Sequence, residues 1–293
     1  NLIQQSNLLM NHKAEIFVAI QRVMPKHLLS RLIGRLAESK IIWLKNFLIT
    51  RAISYFDINM DEATFNDQNN YRSFNDFFTR SLKEHARPIA EGSKSICSPA
   101  DGVISQAGSI NNNRIIQAKG IDYSISRLLG DSSISKKFND GRFATIYLSP
   151  KDYHRVHIPT SGQLIKTRYI PGELFSVNAL TAEGLEGLFT KNERLICQFK
   201  SESIGDFIVV LVGAMLVAGI ETVWSGLEIP GKGSVRESDY SEQQLLFEKG
   251  DEIGKFRFGS TAIVLFEKDK VSQMTGNQPQ QTVRMGEEIA QEL

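Results

Sequence analysis

The chain has 293 residues, 41% of them hydrophobic and 23% charged, with a formal net charge of +1, the composition of an ordinary globular protein with enough chain to bury a substantial core. Its two cysteines, Cys97 and Cys197, have no C-x-x-C partner, which excludes a disulfide framework or a thiolate metal site and predicts buried, reduced thiols. Charge is unevenly placed: residues 1–51 carry Lys13, Arg22, Lys26, Arg31, Arg35, Lys40, Lys45 and Arg51 against Glu15 and Glu38, so this segment suits an anionic surface.

The first residues lack the charged and compact apolar regions of a cleavable signal peptide. From Phe17 to Ile49 apolar residues recur every three or four positions (Phe17, Ile20, Met24, then Leu28, Leu32, Leu36, then Ile41, Leu44, Leu48). This predicts helices, with breaks at Pro25 and at Glu38-Ser39-Lys40. Basic residues are interleaved, and two readings fit. The segment forms amphipathic helices in a lipid interface, or it is a helical cap packed on the protein's own core. Residues 52–90 continue as shorter helical pieces. Among them Ser73-Phe74-Asn75-Asp76-Phe77-Phe78 reads as an N-capped turn leading into an aromatic face, and Arg87-Pro88-Ile89 closes the section.

After Cys97 come short β-rich runs between turns: Gly102-Val103-Ile104, Thr145 to Leu148, Val156-His157-Ile158, Ile208 to Val212, Thr222-Val223-Trp224 and Ala262 to Phe266. They predict a mostly antiparallel sheet or barrel-like body with a few helices. The longest apolar stretch, Phe207 to Ile220, is too short to span a bilayer and reads as buried strands. The tail after Lys270 reads as irregular until a short final helix.

Three clusters could carry chemistry. In Ser98-Pro99-Ala100-Asp101-Gly102 a tight turn fixes the angle of one carboxylate. In Asp152-Tyr153-His154-Arg155-Val156-His157 two histidines stand three apart. A helix would put them on one face, as a metal pair needs. The β-branched neighbours and Pro159 favour extended chain instead, where the two point to opposite faces and suit separate acid–base roles. The third is Phe258-Gly259-Ser260-Thr261, a glycine-serine step inside strand-like sequence, which implies distorted backbone or close approach.

These clusters belong to six segments in one order: SPADGVISQAG (Ser98–Gly108), YLSPKDYHRVHIP (Tyr147–Pro159), PGELFSVN (Pro171–Asn178), NERLIC (Asn192–Cys197), VGAMLVAGIETVW (Val212–Trp224) and KGDEIGKFRFGSTAIVLF (Lys249–Phe266). In them the chain resembles the bacterial phosphatidylserine decarboxylase family, from about Met24 to Phe266. One departure is Phe258, which stands where the family usually has leucine before Gly-Ser-Thr. An apolar side chain is retained.

With the resemblance, the expected fold class is α+β: N-terminal amphipathic helices on a mostly antiparallel, β-rich, barrel-like catalytic body. The resemblance implies a helical membrane-binding region at 10–90 and a catalytic domain at 91–293. It also implies self-cleavage between Gly259 and Ser260 into a β chain (1–259) and an α chain (260–293). Ser260 would become a covalent pyruvoyl cofactor, whose ketone condenses with the substrate amine to supply the electron sink that decarboxylation needs and no standard side chain offers. By the same resemblance Ser260 Oγ attacks the Gly259 carbonyl, His157 is its base, Asp101 orients His157, and His154 protonates the carbanion. Phe175 and Leu174 are either pocket wall or plain core. No metal is expected. The implied partners are phosphatidylserine in anionic membranes and the two chains of one proenzyme, with a homodimer left open. Nucleic acid is disfavoured because Phe17, Trp43 and Phe47 fall on the apolar side of the helices. The implied location is peripheral, on the cytoplasmic face of the bacterial inner membrane.

Overall fold

The computed structural model describes residues 2–118, 120–215, 219–229, 233–257, 260–275 and 280–293, with backbone alone for 2–12 and Ile229. Three helices come first: α1 (Leu2–Val23), α2 (Lys26–Ala37) and α3 (Ile42–Phe56). Pro25, which has no amide hydrogen to donate, separates α1 from α2, and Glu38 closes α2 as the sequence predicts. Helix α2 turns its small and polar side inward. Lys26, Ser30 and Ala37 are buried, whereas Leu28, Leu32 and Leu36 are exposed. Helix α1 is seated through Ala14, Val18 and Gln21. The Gln21 amide donates to Thr181 Oγ1 (3.2 Å) and accepts the Ser176 N–H (2.7 Å). Helix α3 buries Ile49 and Ala52 in a cluster with Tyr71, Phe74, Phe77 and Phe78. The helices are therefore docked on the body and still leave an apolar face outside, with Ile16, Ile20, Val23, Ile41, Ile42, Trp43, Phe47 and Tyr55 exposed.

The body is built on antiparallel strands. Its largest sheet runs in the order Arg236–Asp239, Gly162–Ile170, Arg194–Ser201, Gly205–Val212, Ser260–Phe266, Arg142–Leu148, Gly102–Ser109, Gln281–Val283, with Leu246–Phe247 also on Gly162–Ile170. Among the described residues this path has two ends and does not close into a barrel. The Ser260–Phe266 strand lies between two neighbours and is buried throughout. Ala262, Val264 and Phe266 enter one apolar cluster, and Ile263 and Leu265 another, as the two-residue period of a strand requires when both faces are covered. Cys97 and Cys197 are buried free thiols, and burial raises the pKa of both.

A smaller sheet has the order Gly226–Ile229, Ile220–Thr222, Glu252–Phe256, Arg155–His157. Val223 and Trp224, expected to continue a strand, form a turn instead. The final helix is also corrected. Glu288–Gln291 is a strand paired with Ser95–Cys97, and Gln281–Val283 pairs with Gly102–Ser109. Burying Ile289 and Ala290 beside Ile96 outweighs the helix propensity of the Glu- and Ala-containing tail.

The two sheets are joined by neighbouring connections. Arg142–Leu148 leaves the large sheet and reaches Arg155–His157 in the small one. Glu252–Phe256 leaves the small sheet and reaches Ser260–Phe266 in the large one. Leu148 pairs with Ser260 at one side of the crossing, and Arg155 pairs with Lys255 at the other.

Candidate active site

Ser260 is the first residue of its strand, wholly buried, and its Oγ has no hydrogen-bond partner among the described residues. An unpaired hydroxyl in such a place costs on the order of 1–3 kcal/mol, so its retention needs a reason. Phe258 and Gly259, the other half of the expected cleavage motif, lie outside the described residues.

His154 stands at the opposite strand end of the same crossing. Its carbonyl accepts the Phe256 N–H at 2.9 Å. The side chain is wholly buried, with its ring 4.1 Å from the Phe78 ring. Its Nδ1 lies 2.8 Å from the Asp152 carbonyl oxygen. A carbonyl can only accept, so Nδ1 carries the proton and Nε2 keeps a lone pair, for which the described residues supply no partner. Burial, reinforced by the positive charge of Arg80, lowers its pKa to about 3 against the smaller opposing effect of the Asp152 carbonyl. His154 is thus a neutral imidazole with a free acceptor nitrogen.

His157 is oriented differently. Its Nδ1–H donates to the Gly250 carbonyl (2.8 Å), and Nε2 accepts the Tyr153 hydroxyl (3.1 Å). Burial lowers its pKa, against the Gly250 carbonyl and the Glu252 carboxylate. Gly250 has φ +91°, and a Cβ there would lie 2.7 Å from Ile89 Cδ1, so glycine lets this carbonyl reach the ring.

Asp101 is buried in the expected turn. Gly102 follows at φ +152°, where a Cβ would lie 2.2 Å from the Tyr147 carbonyl oxygen. The carboxylate accepts from Arg87 Nε (2.8 Å) and Nη2 (2.5 Å) and from the Met285 N–H (2.8 Å). The described hydrogen bonds do not join it to His157. The two are linked through backbone instead, the His157 N–H donating to the Pro99 carbonyl at 2.8 Å. Arg87 also holds Glu62 (2.8 Å), and these two carboxylates raise its pKa even though burial opposes them.

The site thus gathers Ser260 and His154 around one crossing, with His157 and Asp101 beside it on separate supports. Sequence reasoning missed Arg87, Phe78, Tyr153, Gly250 and the carbonyl of Asp152. Arg87 and Phe78 were visible only as the close of a helical section and an aromatic face, since their roles depend on where residues 74–87 dock. They dock on the catalytic body across the boundary expected at 90/91: Arg155 Nε donates to the Thr79 carbonyl (3.0 Å) and Arg80 Nη2 to the Lys151 carbonyl (3.1 Å). Phe175 belongs to the core, beneath the Lys26 ammonium at 4.1 Å. Among the described residues no three His, Cys, Asp or Glu side chains converge as metal ligands.

Comparison with known proteins bears on this arrangement. A family model described as phosphatidylserine decarboxylase matches residues 74–291, and a second, described as PSD, matches residues 16–57. The chain is 48% identical over 281 residues to the phosphatidylserine decarboxylase proenzyme of Saccharophagus degradans, covering 95% of this chain and 98% of the relative. The proteins of the same description from Alcanivorax borkumensis and Acinetobacter baylyi are each 48% identical, over 94% and 95% of this chain and 96% of the relative. The chain belongs to the phosphatidylserine decarboxylase family. The two family-model matches fall on both the helices and the sheets. Asp101, His154, His157 and Ser260 all fall within the first match.

Proposed function

We propose that this chain is a self-processing proenzyme that decarboxylates phosphatidylserine to phosphatidylethanolamine and CO₂, using a pyruvoyl group made from its own Ser260. The observation that carries the reading is the buried Ser260 Oγ at a strand end, without a hydrogen-bond partner among the described residues, four residues after the Phe256 whose N–H the His154 carbonyl holds.

In self-cleavage Ser260 Oγ attacks the Gly259 carbonyl carbon and gives up its proton, and the acyl group shifts from nitrogen to oxygen, leaving an ester and a free amine. Loss of the Cα proton expels the Gly259 carboxylate and leaves dehydroalanine. One water then hydrolyses the tautomeric imine to pyruvoyl and ammonia. A serine hydroxyl needs a base for the first step. His154 is bonded to Phe256, four residues before Ser260 in the chain, whereas His157 pairs with Glu252, eight residues before it. We therefore assign the Ser260 proton to His154 Nε2 and give His157 and Asp101 supporting positions. Protonation of the substrate's Cα by His154 would require the same nitrogen to take up a proton from solvent in each turnover before passing it on.

Ser260 fits the cofactor as its precursor. It is wholly buried, and the group would supply the electron sink for the departing carboxylate. For the membrane role, the exposed leucines of α2 and Trp43 and Phe47 of α3 support a peripheral interfacial helix region. Among the described residues no helix is long and apolar enough to cross a membrane. Residues 10–90 would bring the catalytic domain to anionic lipid on the cytoplasmic face of the inner membrane.

Intact mass spectrometry of the purified chain tests the reading. Two fragments are expected, the smaller beginning with a pyruvoyl-blocked residue 260, while Ser260→Ala stays whole. A Ser260→Ala chain that still splits at the same bond would sink the serine mechanism.

A further inference from the structure

Glu38 is a half-exposed residue that the scheme above leaves unused. It is the C-cap of α2, where its N–H donates to the Gly34 carbonyl at 3.0 Å. The dipole of a helix is negative at this end and opposes a carboxylate, so Glu38 calls for compensating donors. Two of them meet one oxygen. Asn75 Nδ2 and Arg257 Nη1 each lie 2.8 Å from Glu38 Oε1.

These donors come from opposite sides of the crossing at which His154 and Ser260 stand. Asn75 is buried in the short helix α4 (Phe74–Phe78), whose last residue holds its ring 4.1 Å from the His154 ring. The end of α4 is fixed to the histidine's own segment, because Arg155 Nε donates to the Thr79 carbonyl and Arg80 Nη2 to the Lys151 carbonyl. Arg257 belongs to the other side, one residue past the strand Glu252–Phe256 and three before Ser260. Its N–H donates to the Gly219 carbonyl at 2.9 Å, and Glu221 accepts its Nη2 at 3.0 Å. Each donor is thus anchored in its own segment, and the Glu38 carboxylate joins the two.

We infer that Glu38 is a positioning residue for self-cleavage, bracing the segment that carries His154 against the one that leads into Ser260. The inference rests on the self-processing reading and deepens it. The bond from the Phe256 N–H to the His154 carbonyl is one attachment between these segments, about which they can turn. The Asn75–Glu38–Arg257 bridge is a second attachment on different residues, and two attachments fix an orientation that one does not. Transfer of the Ser260 proton depends on that orientation, since a displacement of about 1 Å can cost about 10²-fold in rate.

Rate and stability can be separated here, because the Glu38 side chain is 47% exposed and such a pair adds little to the fold. Glu38→Ala, measured with Ser260→Ala to keep the chain whole, should leave Tm within about 3 °C. With Ser260 restored, Glu38→Ala should slow self-cleavage after synthesis in vitro roughly 10- to 100-fold. Glu38→Gln keeps an acceptor oxygen at the same reach and should recover most of the rate. Arg257→Met should also be slow, and adding Glu38→Ala to it should slow it no further, because both remove one bridge. Hydroxylamine identifies the step. It cleaves the ester left by the acyl shift, giving a Gly259 hydroxamate and a free Ser260, so it should not restore cleavage of Glu38→Ala when the attack itself is slow. Rescue by hydroxylamine would overturn the inference, as would parent-like cleavage of Glu38→Ala or a Gln variant as slow as the Ala variant. A large fall in Tm, or multiplying losses in the double variant, would overturn it too. A parent chain that stays whole would instead refute the self-processing reading on which the inference stands.

Discussion

The carbonyl of His154 accepts the amide of Phe256 at 2.9 Å, which ties the histidine's backbone to the strand that leads into Ser260. Because the Nδ1–H is spent on the Asp152 carbonyl, the tie also fixes which nitrogen stays free. The free Nε2 belongs to a ring whose burial lowers its pKa to about 3. His157, three residues on, has both ring nitrogens occupied.

The two histidines should accordingly behave differently. His154→Ala should slow self-cleavage by at least about 10²-fold, the usual worth of a positioned base, and accumulate full-length chain. His157→Ala should still process, more slowly, because it removes a support and leaves the lone pair of His154 in place. Time courses after synthesis in vitro, read on denaturing gels, give both rates. Normal cleavage of His154→Ala with a block in His157→Ala would exchange the two roles.

A depressed histidine pKa also predicts how stability depends on pH. The folded chain holds His154 neutral down to about 3, whereas an unfolded histidine protonates near 6.5. Between those values the unfolded state binds more protons, so acid destabilises the fold progressively below about pH 6.5. In the Ser260→Ala chain, His154→Gln should flatten this acid slope, although His157, depressed in the same direction, will retain part of it. Denaturant midpoints at several pH values between 4 and 7 measure the effect. An unchanged slope would mean that His154 is not buried as a neutral ring.

The sequence exposed the helices, their breaks and the Ser260 strand because each rests on local signals. These are a three-to-four residue apolar period, a proline, and an apolar run after Gly-Ser-Thr. It exposed the site residues by resemblance. It could not expose the partners of Asp101 and His157, because a carboxylate in a turn does not reveal whether a histidine or Arg87 will meet it. That depends on residues 74–87 docking across the body and on the tail returning as a strand beside Ser95–Cys97. The last element was misjudged for the same reason, since its helix formers are overruled by a pairing some 190 residues away in sequence.

The Arg87–Asp101 contact gives a third expectation. Both side chains are 7% exposed, and Arg87 makes paired bonds to Asp101 while reaching Glu62. Removing one partner of a buried pair typically costs about 3–5 kcal/mol, because the other charge is left without compensation. Arg87→Gln should lower the Tm of the Ser260→Ala chain by many degrees and slow processing when Ser260 is restored. Arg87→Lys should recover only part of either, for an ammonium cannot reproduce the fork. Full recovery with lysine would show that charge alone matters.

The outward apolar face of the N-terminal helices gives the last. Lys26 and Lys45 do not serve a membrane directly. Lys26 pairs with Glu173 at 3.0 Å, and Lys45 donates to the carbonyls of Gln68 and Tyr71. Lys13, Arg22, Arg31, Arg35, Lys40 and Arg51 remain exposed, each worth about 1 kcal/mol near an anionic surface at low salt. The exposed leucines and Trp43 add a part that salt does not screen. Replacing Leu28, Leu32 and Leu36 together with glutamine leaves the docked side of α2, Lys26, Ser30 and Ala37, untouched. That variant should fold and self-process normally yet lose most co-sedimentation with phosphatidylserine-containing vesicles at physiological salt. Arg31→Glu with Arg35→Glu should weaken pelleting mainly at low salt. If the triple glutamine variant pellets like the parent chain while its Tm falls, the leucines serve the fold, and the helices are a cap whose outer face meets something other than lipid.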